Sequence, residues 1–268
     1  TEYMHLKIHH RTEYRYESPV HYSIQELRLT PPDVAGQKTS KWKLHTPMKS
    51  TQSSDPFENR CHVFVQEAPY TSMVIEAEGE VDTVDAFELG DSSHAVSPFY
   101  LLQQTPLTEP SDAMLDYFSG VMPKSNQIDA ILQLATAVQD AIPYSPGKTH
   151  FATTAAQSFA MGAGVCQDHS HIMLGLCRAA NIPARYVSGY FFAEESPNLA
   201  SHAWIDFCLD INKGKWISVD ITHACLIDSR HVRLAVGRDY YSAAPIKGVR
   251  SGGGTESLSA SISIHQLS

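Results

Sequence analysis

The sequence predicts an α+β protein, in which an antiparallel β region precedes a second part where helices come before another antiparallel sheet. Two observations support this prediction. Short β-branched and aromatic runs, separated by turn residues, fill roughly the first ninety positions. Apolar residues then recur at helical spacing in three successive stretches before strand patterns return at residue 184. Helices followed by strands in this order are typical of an α+β domain.

Composition narrows the class of protein. The chain has 268 residues, of which 29 are acidic and 20 basic, so its formal net charge is -9. This length supports a sizeable core without disulfides, and the acidic balance without a basic run disfavours nucleic-acid binding. The longest uncharged apolar stretch falls far short of the ~20 residues that cross a bilayer. We therefore expect a soluble globular protein with neither a nucleic-acid partner nor a membrane span.

The cysteine count indicates the compartment. Five scattered cysteines are too few, and odd in number, for a disulfide framework, so a reducing environment fits better. Residues 1–10 lack the apolar run of a signal peptide. We predict a cytoplasmic protein, while a leader removed upstream of Thr1 stays open.

The N-terminal β region is predicted over residues 1–95. Apolar and polar residues alternate from Met4 to Ile8, and an aromatic pair, Tyr14 and Tyr16, follows. Further strand-like runs lie at 24–29, 41–44, 62–65 and 72–77, with turn residues between them. Short strands at this spacing indicate an antiparallel, sandwich-like arrangement. No catalytic constellation stands out there, so we interpret the region as a packing or binding module.

The second part is predicted over residues 96–268, after a connecting segment that begins at residue 91. Three helices are expected in it, ended by Pro143, by the glycines at 162 and 164, and by Pro183. They cover residues 127–142, 154–161 and 166–180. Strands are expected at 184–192, 202–209 and 215–222.

Cys166 opens the third predicted helix, directly after Gly162-Ala163-Gly164-Val165. Unpaired N–H groups and the helix dipole favour a thiolate at this position, and the glycines let a substrate backbone come close. Most cysteines are buried and inert, so position alone leaves both interpretations open.

A nucleophilic thiol needs a base and a group that orients the base. His202 begins a strand, and Asp220 lies on the next one. If His202 pairs opposite Asp220, then Asp206 pairs with Trp216 and a five-residue loop at 209–213 closes the hairpin, which is a common length. Each residue alone is more often structural, but together with Cys166 they favour nucleophilic catalysis.

These segments resemble bacterial transglutaminase-like proteins. The resemblance lies in GVCQDHSH at 164–171, RAANIPARYVSGY at 178–190, SHAW at 201–204 and WISVD at 216–220, with weaker blocks at 14–31 and 234–248. It implies a papain-like core with Cys166 as nucleophile, His202 as base and Asp220 as orienting acid. In that family Pro-Thr usually follows the aspartate, whereas Ile221-Thr222 follow here.

The resemblance implies amide acyl transfer through a thioester. From the resemblance alone, hydrolysis by a protease or amidase is favoured over cross-linking, with a peptide, a protein or a small amide as substrate. Two alternatives stay open: a transglutaminase or deamidase acting on glutamine, and a non-enzymatic module that binds a peptide in the cleft.

Several further residues are candidates for the cleft. The backbone N–H of Cys166 is the natural first oxyanion donor, and Gln157, Tyr144 and Trp204 compete for the second position. Asp168 lies in the first turn of the cysteine helix, where a carboxylate more often has a structural role. For Tyr240, packing near the cleft is the simplest interpretation.

Zinc is the main competing hypothesis. Cys166, Asp168, His169 and His171 are all possible ligands, but their spacing fits no usual zinc pattern. We therefore expect neither a metal nor another cofactor.

Overall fold

The structure of the protein is a computed structural model that describes residues 2–90, 96–195 and 201–267. Residues 91–95 of the predicted connecting segment, and with them the predicted domain boundary, lie outside the described residues. The division at 95/96 therefore stays a prediction. In the described part of the chain, no helix is both long and apolar enough to span a membrane.

The described strands form two antiparallel sheets. They are β1 (Tyr3–Leu27), β2 (Gln37–His45), β3 (Thr51–Ser54), β4 (Arg60–Gln66), β5 (Tyr70–Val84), β6 (Glu88–Gly90), β7 (Ala184–Phe191), β8 (Ser201–Asp210), β9 (Lys215–Asp220), β10 (Cys225–Leu226), β11 (His231–Gly237), β12 (Ile246–Gly252) and β13 (Glu256–Gln266). The first sheet has the order β2-β5-β1-β4-β3, with β12 and β13 also on β1; the second has the order β10-β9-β8-β7-β11, with β6 on β9.

Four of the described helices lie between β6 and β7 in the chain, and a fifth lies between β11 and β12. They are α1 (Asp112–Phe118), α2 (Ile128–Ala141), α3 (Ala155–Met161), α4 (Cys166–Ala179) and the short α5 (Tyr240–Ala243), with 3-10 turns at Pro98–Leu102 and Ser119–Val121. The three predicted helices are observed within two residues of their expected ends. A turn in which Gly162 adopts a left-handed φ of 61° separates α3 from α4, as its lack of a Cβ allows.

The first sheet is organised around β1, a single strand of 25 residues. The sequence pattern predicted separate short strands here, and it was wrong because the chain continues through Pro19 without a turn. The pairing with β5 shifts register between Arg15 and Val20, and a proline is tolerated at such an irregularity because no ladder hydrogen bond is needed there. The predicted sandwich-like set of short strands is thus one continuous sheet.

The C-terminal strands complete this first sheet. β12 pairs with the second half of β1, up to Leu27 opposite Ile246, and β13 pairs with the first half, from Leu6 opposite Gln266. Residues 246–266 had been assigned by sequence to the second part of the chain. Strand alternation identifies a strand but not its partner, so sequence could not place them.

Two cores hold the layers together. One lies between the helices and the second sheet, and includes Ile172 and Leu176 of α4 with Tyr186 and Phe207. The other lies between the two sheets, where Tyr190, Val232 and Leu234 of the second sheet pack with Leu6 and Ile8 of β1. The second sheet is therefore covered on both faces, and its strands carry His202, Asp220 and His231.

The predicted register of the hairpin between β8 and β9 is wrong by two residues. Asp206 pairs with Ser218 rather than with Trp216, and Trp216 pairs with Cys208. The reason is that the turn lies further along the chain, at 211–214, after a register shift between Cys208 and Asp210. There the Asp210 carboxylate accepts two backbone N–H groups and Gly214 adopts a left-handed φ of 57°. Because side chains alternate with a period of two, a slip of two keeps every residue on its expected face.

Candidate active site

The approach to α4 is built around Asp168. Its Oδ2 accepts the backbone N–H of Val165 at 2.8 Å and the Thr149 hydroxyl at 2.6 Å. A Cβ added at Gly164 would lie 2.6 Å from the Asp168 Cβ, so only glycine fits beside it. Burial raises the pKa of the Asp168 carboxyl in spite of these donors. These contacts fix the loop that presents Cys166 as the first residue of α4.

His202 connects the thiol to a carboxylate. Its Nε2 lies 2.7 Å from Asp220 Oδ2, which leaves Nδ1 as the ring nitrogen available to the Cys166 thiol. Burial of the ring disfavours the imidazolium, but the interactions with Asp220 and Cys166 outweigh burial, so the pKa of His202 is raised. The structure thus brings together the three residues that sequence singled out.

Asp220 is surrounded by imidazoles. Its Oδ2 lies 2.6 Å from His223 Nδ1 and 2.9 Å from His231 Nε2, in addition to His202. Burial alone would raise its pKa, but these three partners hold the pKa of the carboxyl far below its usual range. Sequence reasoning missed His223 and His231. The sequence shows only that two histidines occur within eleven residues after Asp220. It does not show where the chain turns back toward that carboxylate.

The two residues after Asp220 explain the departure from the expected Pro-Thr. Ile221 is fully buried in the core beneath the helices. The Thr222 hydroxyl lies 2.9 Å from His169 Nδ1, and His169 Nε2 contacts the Ile142 carbonyl at 2.8 Å. The turn after Asp220 is therefore attached to α4 directly, and an apolar side chain takes the place of proline's ring.

Comparison with known proteins identifies the family. Residues 6–82 match the model of the bacterial transglutaminase-like N-terminal region, and residues 117–221 match the model of the transglutaminase-like superfamily. The chain is a transglutaminase-like protein. The second match contains Cys166, His202 and Asp220, while the first ends within β5.

Several proteins are similar to this chain over most of their own length. An uncharacterized protein of Mycobacterium leprae is 28% identical over 98% of this chain and 99% of its own length. An uncharacterized protein of Mycobacterium tuberculosis is 26% identical over 91% of this chain and 86% of its own. A crystal structure from Cytophaga hutchinsonii, of a protein named as a candidate cysteine protease, is similar with a TM-score of 0.78 at 22% identity, over 100% of this chain and 92% of that one. This similarity supports the fold.

The four residues considered as zinc ligands do not converge in the transglutaminase-like core. Asp168 and His169 are held as described above, and His171 Nε2 accepts the Tyr240 N–H at 3.1 Å. Burial lowers the pKa of His171 to about 4. Among the described residues, His202, Asp220 and His223 have possible ligand atoms within 4.8 Å of one another. Both imidazoles contact the same carboxylate oxygen at hydrogen-bonding distance, so hydrogen bonds account for this group.

The remaining candidates take different positions around the transglutaminase-like site. Tyr144, 56% exposed, forms a β-bridge with Gly164 in the loop before Cys166. Trp204 is fully buried, its ring centroid lies 6.1 Å from that of His202, and its Nε1 has no hydrogen-bond partner within the described residues. Both stay candidates for the second oxyanion donor.

Two candidates have further contacts. The Gln157 Oε1 accepts the Thr154 N–H, which caps α3, and its amide nitrogen is the group that would donate to an oxyanion, so Gln157 also stays a candidate. Tyr240 lines a cavity of about 630 Å³ between the first sheet and α5, and the lining of this cavity does not include the candidate triad. The packing role expected for Tyr240 agrees with its N–H bond to His171.

A buried ion network supports the strands of the site. Asp206 on β8 accepts two hydrogen bonds from Arg233 of β11, at 2.7 and 2.8 Å, and one from Arg185 of β7 at 2.8 Å. The Ser218 hydroxyl of β9 donates to it at 2.6 Å. Burial opposes ionisation, but the two guanidinium groups outweigh it and lower the pKa of Asp206 to about 2. The strands that carry His202, Asp220 and His231 are thereby tied to one carboxylate.

Proposed function

We propose that this protein is a cysteine-dependent amide acyl-transfer enzyme that hydrolyses a peptide or other amide bond through a thioester on Cys166. The observation that carries the proposal is the position of His202, whose Nε2 lies 2.7 Å from Asp220 Oδ2 and whose pKa is raised by interactions with Asp220 and with the Cys166 thiol. A nucleophile, its base and the group that orients the base are the set that such chemistry requires.

In the proposed reaction, His202 takes the thiol proton of Cys166 and the sulfur attacks the amide carbonyl. The oxyanion is stabilised by the backbone N–H of Cys166 at the start of α4, with a second donor from Gln157, Tyr144 or Trp204. The C–N bond breaks as His202 returns the proton to the leaving amine. Water then attacks the thioester, His202 takes its proton, and the thiol of Cys166 is restored with release of a carboxylic acid.

Hydrolysis is preferred over transfer to an amine on the strength of the family resemblance. The proposed catalytic residues all lie within 96–268, the part assigned to catalysis from the sequence. We also propose a reducing, cytoplasmic location, which the five free cysteines support.

Acylation by p-nitrophenyl acetate tests the proposal without knowledge of the substrate. We expect one acetyl group per chain, located at Cys166 by peptide mapping. Replacement His202→Ala is expected to slow acylation by about 10²-fold or more, the usual contribution of a general base. Cys225→Ala is the matched control: burial raises the pKa of the Cys225 thiol to about 11, so its removal is expected to leave the rate unchanged.

The fate of the acetyl group separates hydrolysis from transamidation. Free acetate in the presence of added glycine amide indicates hydrolysis, whereas acetylated glycine amide indicates transfer to an amine. Peptides with and without glutamine then identify the amide substrate. Acetylation spread over several cysteines, or an unchanged rate in His202→Ala, would contradict the proposal and favour a peptide-binding module.

A further inference from the structure

His231 is a buried histidine between two carboxylates. Its Nε2 lies 2.9 Å from Asp220 Oδ2, and its Nδ1 lies 3.2 Å from Asp228 Oδ1. The side chain is fully buried, whereas that of Asp228 is 31% exposed. The backbone N–H of Asp228 is also directed at Nδ1, at 3.2 Å, so a neutral ring would accept there, whereas an imidazolium would donate to the Asp228 carboxylate. The carboxylate at each ring nitrogen favours the imidazolium.

The surroundings of His231 favour the same charge. Burial disfavours the cation, but the hydrogen bonds to Asp220 and Asp228 outweigh burial, so the pKa of His231 is raised. Arg230 holds Asp228 ionised through contacts of 2.6 to 3.1 Å. Asp228 therefore acts as the fixed anion for His231, at the rim of the site.

We propose that Asp228 and His231 form a positioning pair for the candidate triad: the imidazolium of His231 holds the Asp220 carboxylate in place and sets the pH range over which His202 is protonated. The inference rests on the proposed function for its catalytic meaning. His231 is a positioning residue, because it contacts Asp220 and reaches His202 only through that carboxylate.

The sign of the effect follows from the charges. A cation at His231 repels the protonated form of His202 and also reduces the attraction that Asp220 exerts on it. Both effects oppose protonation of His202, so removal of the cation is expected to make His202 retain its proton to higher pH. Titratable and charged groups around His231 and its carboxylate partners are Asp220, Asp228, His202, His223, Cys225, Arg230 and Arg233.

The size of the effect follows from distance. The ring centroids of His202 and His231 are 5.9 Å apart. Two unit charges at that distance, with an effective dielectric constant of about 20, change a titration midpoint by roughly two pH units. Relaxation reduces this value, so we expect the His202 midpoint to rise by about one to two pH units in His231→Gln. The glutamine amide can still donate to Asp220 in place of Nε2, which preserves the geometry.

The experiment is an NMR titration of the full-length protein with labelled histidines, in which His202→Ala identifies the His202 signal. His223→Gln is the matched control, because His223 contacts the same Asp220 oxygen at 2.6 Å but its side chain is 42% exposed, so water screens its electrostatic interactions. We expect its shift to be less than half that of His231→Gln. Equal shifts in the two variants, or a His202 midpoint unchanged in His231→Gln, would overturn the inference.

A second measurement needs no variant at His231 and applies if His231→Gln does not fold. In the wild-type protein at pH 7, the ring-nitrogen chemical shifts of His231 are expected to be those of an imidazolium; a neutral tautomer would overturn the inference. These readouts do not depend on activity. If Cys166 is not acylated while His231 is doubly protonated, the proposed function fails and the charge assignment stands.

Discussion

Replacement of Asp206 by asparagine tests how strongly the buried ion network holds the strands of the site together. Asp206 is fully buried and accepts hydrogen bonds from Arg233, Arg185 and Ser218. In Asp206→Asn, Arg233 keeps a buried positive charge with no anion beside it. Breaking a buried ion pair from one side typically costs about 3–5 kcal/mol.

The pKa of Asp206 gives an independent magnitude. Its fall from 3.8 to about 2 on folding corresponds to about 2 kcal/mol of stability from ionisation alone. Because the folded-state pKa is the lower one, this stability is fully present above pH 4 and is lost as the pH falls toward 2. The asparagine variant also loses hydrogen bonds to charged groups, so we expect a total loss of about 3 kcal/mol at neutral pH.

Urea unfolding at pH 7 measures this loss directly. Glu88→Gln is the matched control, since Glu88 contacts Lys215 at 2.9 Å but both side chains are partly exposed; its cost is expected to stay below about 1 kcal/mol. The difference between wild type and Asp206→Asn should also shrink between pH 4 and pH 2. A cost no greater than that of Glu88→Gln, or a difference independent of pH, would refute the reasoning.

Two further predictions concern other parts of the site. Burial lowers the pKa of His171 to about 4. Between pH 6.5 and pH 4 this histidine is therefore protonated in the unfolded chain but neutral in the folded protein. The free energy of unfolding should fall by up to about 3 kcal/mol as the pH is lowered over that range. His171→Gln, whose amide oxygen can accept the Tyr240 N–H, should flatten this part of the stability curve in urea unfolding at several pH values; an unchanged slope would contradict the assignment. Gly164→Ala places a Cβ 2.6 Å from Asp168, so we expect a loss of roughly 1–3 kcal/mol and slower acylation of Cys166. Gly120→Ala, which meets open space, is the control, and equal thermal stability of the two variants would show that the loop accommodates the methyl group.

Local patterns predicted the helices well. α2, α3 and α4 begin and end near residues whose effect on the backbone is local, such as Pro143, the glycine at 162 and the sequence before Pro183. The placement of Cys166 at the start of α4 follows from the same signals. Its nearness to His202 and Asp220 was suggested by residue type and order.

Pairing between strands was harder to predict. The register of β8 and β9 differed by two residues because the turn after Asp210 lies further along the chain than the predicted loop and follows a register shift between Cys208 and Asp210. The candidate site tolerated this error, since a shift by two residues leaves His202 and Asp220 on the same face. The length of β1 was not predictable because it depends on pairing with several strands elsewhere in the chain, and the return of β12 and β13 was not predictable because they pair with β1 from more than 200 residues away.

By itself, the sequence determined the helix boundaries, the strand faces and the identity of Cys166, His202 and Asp220 as candidates, because each depends on residue type and spacing along a short stretch. Only the tertiary structure decided what surrounds Asp220. His231 lies on β11, which is not a neighbour of β9 in the sheet, yet its ring contacts Asp220, and Arg233 of the same strand contacts Asp206 on β8. Their effect is electrostatic and depends on distance and burial, and neither quantity is present in a linear pattern of residues.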